Sequence, residues 1–372
     1  MTREDAVRRL HDRPERGVFA VSGGGSLLLS DLMSVPGASG TVIYGAVPYA
    51  HAALAAFIGA EPESACSPAT ARDLAMRCFL QATELDPGPD RFGFAVTASL
   101  ASNRPKKGDH RAHLAMQTSS VTRTWSLHLE KNARSRAGEE RVVAEVAFHA
   151  LAESCGVTTA VPELLDTESL EADVAPGDAA WQELLAGTRQ VVGDPRPRAL
   201  FPGAFHPLHD GHRRMVRVAA ARLGVPVAFE VSIHNVDKPP LNFHDLRERA
   251  AQFDADALCF TNTATFVEKA RTFGGVTFVV GADTMRRIAD PKYYPVGDVA
   301  EALDEIAGRG CRFLVFGRSD GNRFVTLEDL DLPSGLRGLC EGVREADYRV
   351  DLSSTEIRAT FNADRHLAKR SR

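Results

Sequence analysis

What this chain lacks narrows its identity first. In 372 residues there is no long hydrophobic run. The longest, around Ala52 to Ala60, falls far short of the ~20 residues that span a bilayer. Arg3, Arg8 and Arg9 stand near the start, but no apolar core or cleavage pattern follows them, so no secretory signal is expected. Neither sign of charge dominates: 44 basic residues against 49 acidic ones leave a formal net charge of −5. That balance gives no electrostatic reason to expect a nucleic acid or a membrane as partner. The six cysteines, Cys66, Cys78, Cys155, Cys259, Cys311 and Cys340, stand singly, without CxxC spacing. A disulfide framework needs a smaller chain with denser cysteines, and a zinc site needs clustering, so the expectation is reduced thiols in a cytoplasmic protein. No internal repeat is visible, and oligomeric state is not legible.

What is present is ordinary for a folded protein. With 44% hydrophobic and 25% charged residues, disorder, collagen-like structure and coiled coil are excluded as global descriptions. The length suits roughly two to three domains. Composition divides the chain in the middle: seven carboxylates fall between Val161 and Gln190 with no basic residue before Arg189, and Gly193-Asp194-Pro195-Arg196-Pro197 follows. This reads as an acidic, Pro-containing linker over 161–195, between a domain at 1–160 and a domain at 196–372 that ends in a basic tail. On both sides short β-rich runs alternate with helical ones. Val18–Val21, Thr41–Val47, Phe92–Thr97 and His113–Thr118 read as strands of the first domain, with helices at Leu27–Met33, Ala52–Ile58, Thr70–Ala82 and Ala137–Ser154. In the second, strands at Arg198–Phe201, Val227–Ser232, Val276–Val280 and Cys311–Phe316 alternate with helices at Gly211–Leu223 and Leu246–Phe253. The expected fold is α/β: two layered α/β domains, the C-terminal one Rossmann-like with a parallel sheet.

The strongest chemical signal follows the linker, in Gly203-Ala204-Phe205-His206-Pro207-Leu208-His209-Asp210-Gly211-His212. It lies where a strand ends and a helix begins, the place where open α/β sheets bind ligands. His209 and His212 project from the first helical turn, and Gly211 allows close approach to backbone N–H groups, which together suit a triphosphate. Two other readings stand beside it: a metal cluster of His206, His209 and His212, or plain surface histidines. Near the C-terminus stands Asp351-Leu352-Ser353-Ser354-Thr355-Glu356-Ile357-Arg358. It reads as a capped helix start, or as hydroxyls, free N–H groups and an arginine fork facing one phosphate chain.

These two segments, in this order and ~140 residues apart, resemble the nucleotidyltransferase superfamily of nicotinamide-mononucleotide adenylyltransferases, phosphopantetheine adenylyltransferases and small cytidylyltransferases. The resemblance covers about Arg196 to Ala363. Lys238-Pro239-Pro240 followed by Arg247, Gly281-Ala282-Asp283 after a strand, and Gly317-Arg318 resemble segments of the nicotinamide-nucleotide branch. The resemblance implies adenylyl transfer from ATP to a phosphorylated acceptor, nicotinamide or nicotinate mononucleotide, with loss of pyrophosphate. His209, His212, Lys238 and Arg358 would be catalytic, and Gly203, Ala204, Phe205, Gly211, Gly281, Asp283, Arg318, Ser353, Ser354 and Thr355 would bind the nucleotide. Mg²⁺ would arrive with ATP, because no dedicated carboxylate cage is visible. One departure is that the branch's tryptophan, about eight residues past the aspartate, falls near Pro291, where Tyr293 or Tyr294 offers another stacking ring. His206 also replaces the Asp or Asn usual before the motif proline. A cytidylyl donor, another acceptor, or a nucleotide-binding regulatory protein without turnover are the alternatives.

The first half carries Ser22-Gly23-Gly24-Gly25-Ser26, which lacks the Lys-Ser/Thr end of a P-loop. Together with Val35-Pro36-Gly37-Ala38-Ser39 and Tyr44-Gly45-Ala46-Val47-Pro48-Tyr49, it is similar to the CinA-like family of nicotinamide-mononucleotide deamidases over about Gly17 to Val157. The resemblance places the family's nucleophile on Ser22 and its tyrosine on Tyr49. Its activating lysine falls on Leu54, which cannot accept a proton, and its glutamate before the serine on Val21. The expectation is a vestigial deamidase-like site in a domain that keeps the fold.

Overall fold

The computed structural model describes residues 2–103, 106–194, 196–234, 239–253, 257–291, 299–320 and 323–350. They form two units, one of residues 1–182 with 237–245 and one of 183–236 with 246–372.

In the first unit the order is α1 (Arg3–His11), β1 (Arg16–Ser22), α2 (Leu27–Met33), β2 (Val42–Ala46), α3 (His51–Ile58), α4 (Pro68–Leu85), β3 (Arg91–Ser99), β4 (His110–Thr118), β5 (Val121–Leu129), α5 (Arg136–Ser154) and β6 (Ser169–Pro176). The helix starts follow local chemistry. Ser67 caps α4 by accepting from the Thr70 N–H, with Pro68 at the first helical position, and Ser135 accepts from Gly138 at the start of α5. The six strands run β2-β1-β3-β4-β5-β6; β1 lies parallel to β2 and β3, and the rest pair antiparallel.

Apolar residues line both faces of β3 and β4, because helices cover both sides of the sheet. One face gathers large side chains, Phe19, Phe92, Phe94 and Trp125, with α1, α2 and α5 residues. The other gathers small ones, Val18, Ala20, Ala95 and Ala115, with α3 and α4. There Gly93 lets α4 approach: a Cβ would stand 2.0 Å from the Ala75 carbonyl oxygen. The segment expected as a linker over 161–195 is structured. Ser169–Pro176 is the edge strand β6, with Leu170 opposite Leu127 and Ala172 opposite Trp125. Glu171 and Asp173 lie on an edge strand, where acidic side chains are tolerated and the composition imitates a linker. The boundary between units falls inside that segment, after Gln182.

The remaining elements are α6 (Ala179–Leu185), β7 (Val191–Val192), β8 (Ala199–Pro202), α7 (Asp210–Leu223), β9 (Val227–Ser232), α8 (Phe243–Ala250), β10 (Leu258–Thr261), α9 (Phe266–Thr272), β11 (Thr277–Gly281), α10 (Ala282–Ala289), α11 (Val299–Gly308), β12 (Arg312–Phe316), β13 (Arg318–Asp320), β14 (Arg323–Val325), α12 (Ser334–Arg337) and β15 (Cys340–Val343). The second unit's sheet runs β15-β12-β11-β8-β9-β10-β7. All its pairs are parallel except β7 with β10. Counted from β8, the strand order is that of the doubly wound dinucleotide-binding fold, so the chain is two layered α/β domains with the second Rossmann-like. All six cysteines are free. No described helix is long and apolar enough to cross a membrane.

Candidate nucleotide site

In the second sheet the winding reverses between β8 and β11, and the crevice outside the strands' carboxyl ends at such a point is where open α/β sheets hold ligands. Three predicted segments converge there. β8 runs into Gly203–His209, β11 ends at Gly281 with α10 beginning on Ala282, and β12 runs into Gly317-Arg318.

His209 is the N-cap of α7, and its ring stacks on that of His212 with centroids 3.6 Å apart and 24° between planes. The His209 backbone N–H donates to His212 Nδ1 at 3.3 Å. An Nδ1 that accepts leaves the proton on Nε2, so His212 can present an Nε2–H donor. Burial, then His209 and then Arg318 push the His212 imidazole down to about 3. Burial also lowers His209, assisted by Arg318 and opposed by Asp210. Both rings are therefore neutral near pH 7, which removes the repulsion that two stacked cations would suffer. His209 Nδ1 is buried and has no hydrogen-bond partner among the described residues. Gly211 makes room for this stack: a Cβ there would lie 2.9 Å from His209 Nδ1 and 3.1 Å from Val350.

Three of the expected nucleotide-binding residues make contacts within the protein. Phe205 is buried with φ of 43°, and its ring meets His212 edge-on at 5.1 Å. It seats the imidazole from behind. The Gly203 N–H donates to the Glu230 carbonyl at 2.9 Å, so it offers no donor to a phosphate. The Ala204 carbonyl accepts from Arg249 Nε at 3.1 Å.

Arg249 belongs to a brace that the sequence did not reveal. Gln252 accepts from the Leu208 N–H at 2.7 Å and donates to the Phe205 carbonyl at 3.0 Å, so one amide holds both ends of the loop before His209. Tyr348 is a second addition. Its hydroxyl donates to the Gly211 carbonyl at 3.1 Å, and its ring meets Phe316 edge-on at 5.0 Å. Burial pushes the Tyr348 phenol up to about 12, so it remains a donor. No spacing rule flags a lone glutamine or tyrosine of this kind.

Asp283, in the first turn of α10, pairs with Arg318 at 2.5 Å and lies 3.9 Å from Arg286. Gly281, the α10 N-cap, has open space where a Cβ would stand. Among the described residues, no group of three or more metal-capable side chains gathers at the start of α7. Lys238, Tyr293, Tyr294, Ser353, Ser354, Thr355 and Arg358 lie outside the described residues.

In the first unit the residues expected at the vestigial site lie apart in their surroundings. Ser22 is buried, and its hydroxyl donates to the Pro48 carbonyl at 2.9 Å. Tyr49 is 68% exposed, and Leu54 is buried under α4. Lys106 donates to Ser99 at 3.4 Å. Ser26 donates through both its N–H and its hydroxyl to Glu140, so a carboxylate of this chain fills the end of the glycine loop.

Residues 200–360 match the model of the cytidylyltransferase-like family. Solved structures similar to this chain include a competence/damage inducible protein, CihA, from Agrobacterium tumefaciens, at 20% identity and a TM-score of 0.34, covering 41% of this chain and 94% of that one. A competence-damaged protein (CinA) superfamily protein from Escherichia coli matches at 20% identity and 0.33, over 41% and 88%. One from Klebsiella pneumoniae matches at 16% and 0.35, over 42% and 99%. No curated protein sequence matches this chain.

Proposed function

We propose that the second unit is an ATP-dependent nucleotidyltransferase that adenylylates a phosphorylated acceptor, a nicotinamide or nicotinate mononucleotide. The observation that carries this reading is the pair of neutral, stacked imidazoles at the start of α7, on the switch-point crevice of the sheet. The first helical turn adds N–H groups and the positive end of the helix dipole.

The reaction needs no protein nucleophile. An oxygen of the acceptor's phosphate attacks the α-phosphorus of ATP, the bond from that phosphorus to the β-bridging oxygen breaks, and pyrophosphate leaves with the electron pair. His212 Nε2–H and His209 hold the phosphate oxygens as the charge shifts. Arg318, drawn from Asp283 by the stronger negative charge of the polyphosphate, adds a planar fork. Lys238, Ser353, Ser354, Thr355 and Arg358 enter as the expected partners of the departing pyrophosphate. Mg²⁺, which neutralises polyphosphate charge, would come with ATP on this reading.

A cytidylyl donor with a different acceptor is the second reading, favoured by the family model that residues 200–360 match. The first unit is proposed to be without deamidase activity, because Ser22 is buried and Leu54 stands where an activating amine is needed. Pyrophosphate release, measured for each nucleoside triphosphate with a panel of phosphorylated acceptors including both pyridine mononucleotides, tests the proposal. Release with ATP and a pyridine mononucleotide is expected. Release only with another pair selects the second reading, and binding without release for every pair refutes transfer.

A further inference from the structure

The first unit's sheet has two edges, and they are built differently. β6 carries Glu171 and Asp173 and ends on Pro176, devices that keep an edge strand from pairing with another chain. β2, the opposite edge, reads Val42-Ile43-Tyr44-Gly45-Ala46 and has none of them. Its only strand partner among the described residues is β1, so its outer ladder of N–H and C=O groups is open.

The surroundings of β2 share this character. From Gly17 to Ala60 the sequence holds one carboxylate, Asp31, and no lysine or arginine. Asp31 is itself paired, 3.3 Å from Arg3. Yet this stretch contributes Leu27, Met33, Tyr44, Val47 and Tyr49 to the surface, with exposures from 38% to 68%. The outward residues of α3 are His51, Ala52, Ala53 and Ala56, and His51 lies 3.2 Å from Glu61 just past the helix. Tyrosine and methionine without charge are the composition of an interface core, not of a solvated face.

We propose that this face joins two copies of the chain, with the two β2 strands paired antiparallel across a two-fold axis. An edge strand placed antiparallel to itself is complementary by symmetry and satisfies its own open ladder. A surface whose few charged groups, Asp31 with Arg3 and His51 with Glu61, are already paired meets its copy with little like-charge penalty. The pairing joins the two six-stranded sheets into one continuous sheet, and the charged β6 edges remain outermost.

Sedimentation velocity of the full chain at micromolar concentration is expected to give about 80 kDa, twice the 40.2 kDa of one chain. Tyr44→Lys, at an exposed position, is expected to raise the dissociation constant by roughly 30-fold or more, with an unchanged circular dichroism spectrum. Val174→Lys on β6 is expected to leave the dimer intact. Amide exchange at residues 42–46 reads the same contact without a mutation, and it is expected to slow as wild-type concentration rises. A monomer at all concentrations overturns the proposal. So does a dimer that survives Tyr44→Lys, or one whose formation leaves exchange at 42–46 unchanged.

Discussion

Acidification is the perturbation that probes the α7 start most sharply, because His212 is held neutral by its surroundings. Its imidazole is pushed from the usual 6.5 to about 3, mainly by burial. Between those values the unfolded chain binds a proton at this position that the folded protein does not. Stability therefore rises with pH across the window: the contribution is complete above 6.5 and is lost as pH falls towards 3. Its slope is roughly 1.4 kcal/mol per pH unit for one proton. At pH 5 the loss from this residue is thus about 2 kcal/mol relative to pH 7. Imidazole NMR shifts read the protonation state directly. His212 is expected to stay neutral from pH 8 down to about 5, in the tautomer with its proton on Nε2, because Nδ1 accepts from the His209 N–H. Thermal melts check the linkage, since the acid sensitivity of the second unit is expected to shrink in His212→Gln. A titration midpoint near 6.5, or a proton on Nδ1, refutes the reasoning.

Other outcomes follow from single contacts. His212→Ala is expected to abolish nucleotidyl transfer, whereas Ser22→Ala leaves it unchanged and costs only about 1 kcal/mol for one buried hydrogen bond; steady-state kinetics on the two variants makes the comparison. Gln252→Glu keeps an acceptor for the Leu208 N–H and loses the donor to Phe205, so kcat is expected to fall about tenfold with little change in melting temperature. Gly211→Ala pushes a methyl group into the His209 ring, and isothermal titration is expected to show weaker triphosphate binding while the fold persists. Arg318→Ala is expected to raise KM for the triphosphate more than it lowers kcat, a split that initial-rate measurements resolve.

The fold was legible where strands and helices carried strong periodicity or turn chemistry. Leu27–Met33 and the helix ending at Leu223 match their expected bounds almost to the residue. Segments that depend on neighbours were not legible. In sequence β6 resembles a linker because its acidic residues dominate the composition, although Leu170 and Ala172 find apolar partners across the sheet. β10 and β15 are four-residue strands, too short for alternation to register before a sheet surrounds them. At the site, His209, His212 and Gly211 were readable because a strand, a turn and a helix start fix their geometry locally. Gln252, Arg249 and Tyr348 were not, since they reach the loop or the start of α7 from a distant part of the sequence. Only the sheet shows that the Gly203 amide is taken and that the Phe205 ring packs on His212.

The central claim is that the second unit joins a nucleotide to a phosphorylated acceptor at the start of α7. Mass spectrometry of the product formed from ATP and a pyridine mononucleotide tests it most directly, with wild type and His212→Ala run side by side. The expected result is a dinucleotide with a new phosphoanhydride bond and one pyrophosphate released per molecule, made by the wild type and not by the variant. A wild-type protein that yields no joined product from any triphosphate and acceptor, or a His212→Ala variant that makes it as fast, contradicts the account.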